Sequence, residues 1–320
     1  MTNMLSAVAA RASEPARSAP ITVQDYWRRP GNLIRRTQRV ALSLFAEECA
    51  GLDISRTQFE ALISISRFEG LDQISVARAC GIDRSTMSQA LDVLAERGMI
   101  QREVHPQDRR KRVLQLTEAG AHVFALVIAG GRRAEPRLMR PLTQAEGDDL
   151  VHGLRTIVTS TPSSAPDWTL EESGRSDEAR RSQFLYLSKR PGFLLRRCAQ
   201  VSFALFGDAT AELDLTPTQY GMLFLLKVVQ TDEATIARLA GVDRSTSDRV
   251  LQRLKVRGHV QSGRLRDHTV LRLTASGEAL FEDARPRAEA AEAKLLACLS
   301  AEDQARMVHA LDKLLFVHGG

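Results

Sequence analysis

Apolar residues recur along the chain first at helical and then at alternating spacing, and the same succession is read twice. Within 33–49, Leu33, Ile34, Val40, Ala41, Leu44 and Phe45 form a broad helical stripe able to pack against other helices. The pattern predicts further helices over 57–68, 74–80 and 84–97. Gly81 ends the third of these, and Asp83 offers an oxygen to the free backbone N–H groups that open the fourth. Met87, Leu91 and Leu94 fall on the inward face of that fourth helix. A short helix, a glycine turn and a capped second helix make a helix-turn-helix. Two short alternating segments follow at 100–104 and 112–117, joined by a polar loop at 105–111, which predicts a β-hairpin with a basic tip, a wing. Thr117 then caps a helix predicted to run to Gly131, and 143–158 is a last amphipathic helix.

The second reading of this pattern is a sequence repeat. The stretch from Arg29 to Arg36, Arg-Pro-Gly-Asn-Leu-Ile-Arg-Arg, returns from Arg190 to Arg197 as Arg-Pro-Gly-Phe-Leu-Leu-Arg-Arg. Gly81-Ile-Asp-Arg-Ser-Thr86 matches Gly241-Val-Asp-Arg-Ser-Thr246, Arg97-Gly98 matches Arg257-Gly258, and Thr117 with Gly120 matches Thr274 with Gly277. The second set of elements is therefore expected at 194–209, 218–229, 235–240 and 244–257, then a wing at 260–274 and helices at 275–298 and 301–317. Residues 159–177 carry Ser, Thr, Pro and acids without periodicity and read as a linker. The expected organisation is an N-terminal extension over 1–27, one module over 28–158, a linker over 159–183 and a second module over 184–320. The fold class is mainly α with small β-hairpin wings: two tandem winged helix-turn-helix modules with a helical dimerisation-type domain, a pseudo-dimer.

Composition narrows the chemistry. The 320 residues are 43% apolar and 5% aromatic, with a net charge of +5 that is compatible with an anionic partner but modest unless it clusters. Cys49, Cys80, Cys198 and Cys298 are scattered, and the seven histidines show no i,i+4 pairing, so no metal site, disulfide framework or other cofactor is expected, and the compartment is reducing, the cytoplasm. No apolar run nears the ~20 residues that span a bilayer, and the start lacks a signal peptide's apolar core. A Gly-rich phosphate loop, paired carboxylates and a nucleophile constellation are all missing, which argues against an enzyme.

Helix, helix-turn-helix, a wing carrying Asp108-Arg109-Arg110, Leu-Thr-Glu-Ala-Gly and terminal helices together resemble the MarR family of transcription regulators, in both halves. The Asp-Arg-Ser-Thr opening of the fourth helix and the Asp-x-Arg wing are the most specific marks, and the resemblance covers about 29–158 and 189–317. It implies dimerisation through the first and last helices, binding to a pseudo-palindromic operator in double-stranded DNA, repression, and release by a small anionic or phenolic effector. The expected function is sequence-specific, DNA-binding transcription regulation with two reading heads fused on one chain, pairing within it or also as a homodimer. The alternative is a winged-helix protein-binding scaffold or antirepressor that no longer reads DNA.

A recognition helix must bring its first turns to base edges while flanking cations hold phosphates. Arg84, Ser85, Thr86, Ser88 and Gln89 suit that task, and their repeat partners are Arg244, Ser245, Thr246, Asp248 and Arg249. The first three positions agree and the later two differ, so a shared half-site core with different flanks is expected. In the first wing Arg109, Arg110, Lys111 and Arg112 can enter a minor groove or grip its phosphates. The second wing is shorter and keeps Arg264 and Arg266, so the first copy is expected to supply more of the affinity. For an effector, Arg36 and Arg197 flank the apolar stripe of their helices, with Trp27 and Tyr26 as a wall, whereas Arg35 and Arg196 are expected on the opposite side. Cys198, on the apolar side of its helix, is a candidate redox sensor.

Overall fold

The computed structural model describes residues 21–67, 71–80, 82–105, 108–160, 189–265 and 268–319. Residues 1–20 of the extension expected over 1–27, residues 161–183 of the linker expected over 159–183 and the turn glycine Gly81 lie outside them. A short helix α1 (Val23–Trp27) leads into α2 (Pro30–Glu48), α3 (Arg56–Arg67), α4 (Gln73–Cys80) and α5 (Arg84–Glu96). The hairpin β1 (Ile100–His105) and β2 (Asp108–Leu116) follows, then α6 (Glu118–Met139) and α7 (Gln144–Ser160). The order recurs as α8 (Pro191–Ala209), α9 (Pro217–Val228), α10 (Glu233–Ala240), α11 (Arg244–Val256), β3 (Val260–Leu265), β4 (His268–Leu273), α12 (Ala275–Leu296) and α13 (Ala301–His318).

Two boundaries differ from the sequence expectation. Helix α6 does not stop at Gly131 but continues to Met139, because Ala134 and Leu138 beyond it are buried in the core and that burial outweighs the poor helix propensity of two glycines. The first hairpin pairs Ile100 with Leu116 and Val104 with Arg112, then slips before His105 meets Asp108. Residues 108–111, expected in the loop, thus belong to the second strand. Both sheets are antiparallel two-stranded hairpins.

The centre is helical. Helix α2 packs on α8, α7 on α13, and each last helix also lies against the first long helix of the other half. One apolar cluster runs through this junction, joining Leu33, Ile34, Leu150 and Leu154 to Leu194, Leu195, Met307 and Leu311. Its ion pairs follow the sequence repeat: Arg29 meets Glu292 at 3.0 Å, and Arg190 meets Glu135. Each helix-turn-helix keeps its own core, built on Leu62, Met87, Leu91 and Leu94 in one half and on Leu223, Ile236, Leu251 and Leu254 in the other.

Local devices seat each head. Asp53 and Asp214 adopt left-handed turns with φ of 49° and 45°. Arg97 donates to the backbone oxygens of Leu52 and Asp53, and Arg257 to those of Leu213 and Asp214. The wing is pinned from behind, with Leu114 N donating to Leu71 O at 2.9 Å and Leu271 N to Thr231 O at 2.8 Å.

Candidate nucleic-acid interface

Each recognition helix starts at an aspartate. The Thr86 amide donates to Asp83 Oδ1 at 2.8 Å and the Thr246 amide to Asp243 Oδ1 at 2.8 Å, with the Ser245 hydroxyl adding a second donor at 2.7 Å. These hydrogen bonds, from the backbone first, hold both carboxyls below the usual aspartate range. A negative charge at a helix N-terminus also complements the peptide dipoles. The caps fix the following turn so that its side chains leave the protein.

In α5, Arg84, Ser85, Thr86 and Gln89 are exposed, Ser88 is half-buried, and Met87 packs inward. In α11, Arg244, Ser245, Asp248 and Arg249 are exposed, Thr246 is half-buried, and Ser247 takes the inward place of Met87. The candidate reading residues of each half therefore share one solvent face. Arg102 of β1 is paired with Asp92 of α5, which fastens the wing to the recognition helix, while Lys255 Nζ reaches Glu233 Oε1 at 2.6 Å and fastens α11 to α10. Sequence reasoning missed both ties, since each joins residues on different elements.

Arg112 is exposed on β2, and Arg264 is exposed near the end of β3. Arg109, Arg110 and Lys111 fall on β2, but their side chains, like Arg266 and the tips of both wings, lie outside the described residues.

Of the residues expected around an effector, Arg36, Trp27 and Tyr26 lie together, and Arg197 lies on α8. Arg36 lies over the Trp27 ring with 5.7 Å to its centroid, and Trp27 Nε1 donates to Leu239 O at 3.0 Å, so this pair sits against the second helix-turn-helix. Tyr26 is buried beside them, its ring 5.7 Å from that of Phe224. Arg197 is buried, bonds Gln200 at 2.7 Å, and desolvation pulls its pKa down to about 10.

Arg196 overturns its expected outward orientation. It is buried between α8 and the first head, with Nη2 2.9 Å from Glu60 Oε2 and 3.4 Å from Cys80 O. Glu60, itself buried, also holds Arg56 at 2.8 Å. The reason is tertiary: an acid on α3 of one half stands opposite this face of α8 from the other, and one helix's periodicity cannot show it. The repeat partner of Glu60 is Gly221, where an added Cβ would stand 2.5 Å from the Tyr26 hydroxyl.

Beside Glu60 a cavity opens, walled by Phe45, Phe59, Ile63, Leu138 and Phe193 and rimmed by Arg56, Glu135 and Arg190. The Arg56 guanidinium lies over the rings of Phe45 and Phe59, at 5.4 and 5.7 Å. A smaller cavity at the matching place of the second half is bordered by Arg29, Asn32, Phe206, Tyr220 and Glu292. Burial raises Tyr220 to about 12, so its hydroxyl stays protonated beside Arg29. Cys198 is fully buried and donates to Leu154 O at 3.2 Å, and burial pushes its pKa up, which suits a packed thiol rather than a reactive one. Among the described residues no helix is long and apolar enough to cross a membrane, and no cluster of three metal-ligating side chains occurs.

Helix-turn-helix, capped second helix and hairpin define a winged helix-turn-helix protein. Residues 52–111 match the model of the MarR family. The HTH-type transcriptional repressor NicR of Pseudomonas putida is 26% identical over 145 residues, which cover 45% of this chain and 92% of that protein. A putative transcriptional regulatory protein for the hcr operon of Thauera aromatica is 28% identical over 125 residues, 39% of this chain and 75% of that protein. A solved structure of a probable transcriptional regulator from Pseudomonas aeruginosa matches at 30% identity with a TM-score of 0.38, over 40% of this chain and 98% of its own. The described elements make the chain a winged helix-turn-helix protein, and its similarity to the MarR family model spans residues 52–111.

Proposed function

We propose that this chain is a sequence-specific, DNA-binding transcription regulator of the repressor type that carries two reading heads and pairs them within one molecule. The observation that carries the reading is the twofold presentation of an Asp-capped helix with Arg-Ser-Thr at its first turn, Arg84–Thr86 and Arg244–Thr246, on one helical body. Small hydroxyls let the helix approach base edges, and arginine takes guanine O6 and N7 bidentately. The pairing of α2 with α8 and the matched ion pairs Arg29–Glu292 and Arg190–Glu135 favour halves that meet as two subunits of a dimer would. A small anionic or phenolic effector suits the cavity beside Arg56, where aromatic walls adjoin a guanidinium.

The test is titration of the full chain against its own promoter at rising salt, with the mass of the complex measured in parallel. One chain per duplex, sequence preference and a steep fall of affinity with salt are expected. Absence of a shift would favour the protein-binding scaffold, and two chains per duplex would remove the intramolecular pairing.

A further inference from the structure

The two recognition helices start at equivalent capped residues and each runs for 13 residues, so their positions correspond one to one. Their first turns agree, but the next exposed turns do not. Gln89 faces solvent where the second head has Arg249, and Ser88 is half-buried where it has an exposed Asp248. One turn further on, Val93 is 40% exposed on an otherwise polar face, and its counterpart is the exposed Arg253. The inward positions Leu91 and Leu94 are matched by Leu251 and Leu254, so the heads differ in what they show rather than in how they pack.

On the DNA-reading role proposed above, we infer that the heads read unlike half-sites: an A·T-bearing flank through Gln89 and Val93, and a G·C-bearing flank through Arg249, Arg253 and Asp248. The chemistry follows from the base edges. A glutamine amide donates to adenine N7 and accepts from its N6 amino group, and an exposed valine methyl packs on the thymine methyl. A guanidinium finds two acceptors only on guanine, and a carboxylate accepts from the cytosine amino group while being repelled by acceptor edges and phosphates. Fusion makes such a division stable, because two identical subunits present one recognition helix twice, whereas two halves of one chain can diverge separately. The preferred operator then has a common core, read by Arg84–Thr86 and Arg244–Thr246, with an A·T flank on one side and a G·C flank on the other.

The experiment is selection of duplexes from a randomised pool by the full chain. It is followed by titration against three duplexes sharing the selected core: the hybrid, a palindrome of its A·T flank and a palindrome of its G·C flank. The hybrid is expected to bind about tenfold tighter than either palindrome. In the double variant Gln89→Arg/Val93→Arg, both changes lie on the exposed face, and the preference is expected to move to the G·C palindrome. A symmetric selected site, or a double variant that keeps the original preference, overturns the division of labour and leaves DNA reading in place. A pool that shows no enriched sequence overturns the DNA-reading role and this inference with it.

Discussion

Asp83 and Asp243 each turn one carboxylate into the start of a helix. Hydrogen bonds from the Thr86 and Thr246 amides lower both pKa values, so the folded state favours the charged form. A depressed carboxyl pKa stabilises the fold at every pH above the unfolded value, and that contribution fades as pH falls through the folded one. At neutral pH it is fully present. Asp83→Ala is therefore expected to lower the urea midpoint with an unchanged m-value and to weaken DNA binding, because the first turn that holds Arg84, Ser85 and Thr86 frays. Asp83→Asn, which keeps an acceptor, is expected to recover most of both, and equal losses from the two variants would assign the effect to charge instead. These caps were legible in the sequence, since an aspartate after a glycine turn and before an amphipathic run has one common structural use. Arg196 was not. Which side of α8 faces water is decided by Glu60, 136 positions away and on the other half.

Helices and hairpins followed the apolar pattern closely, and their ends did not. Ala134 and Leu138 extend α6 because a core awaits them, and that core contains residues of both halves. A tighter constraint acts where α6 and α12 begin. A Cβ on Gly120 would stand 1.8 Å from Met99 O, and one on Gly277 would stand 2.0 Å from His259 O. The neighbouring residues of the same segments also meet, with Thr117 Oγ1 donating to Gly98 O at 2.6 Å and Thr274 Oγ1 to Gly258 O at 2.6 Å. The glycines let the helix start lie flush against the end of the recognition helix, so the repeat preserves them. Gly120→Ala and Gly277→Ala are each expected to cost at least about 3 kcal/mol, the upper range for overpacking, as read by urea unfolding. A loss below about 0.5 kcal/mol, the usual range for surface changes, would show that the junction yields. The sequence shows the glycines but not the carbonyls they admit.

Across the whole molecule, the two heads are seated by different chemistry. The first rests on the buried pair of Glu60 and Arg196, assisted by Arg56, and the second on Tyr26 packed over Gly221. Glu60→Ala strands a buried guanidinium and is expected to cost about 3–5 kcal/mol, whereas the double variant Glu60→Met/Arg196→Met, which buries no lone charge, should lose much less. Chemical denaturation of the three proteins checks this, and a double variant as weak as the single one would show that the pair is worth more than its desolvation. The candidate site was legible to the same depth as the fold. The solvent face shared by Arg84, Ser85, Thr86 and Gln89 follows from local spacing, and the cavity was missed because its walls come from α2, α3, α6 and α8.

The packing of α2 on α8 has a consequence for supply. Two separate subunits at low copy number drift apart as a cell grows and divides, and their pairing then tracks how much protein is made. Halves tied on one chain meet at a local concentration on the order of millimolar, set by the tether rather than by expression. With the halves paired within one chain, as proposed above, the joined fraction would not depend on how many molecules a cell holds, and occupancy of a DNA site would rise in simple proportion to the number of chains rather than with its square.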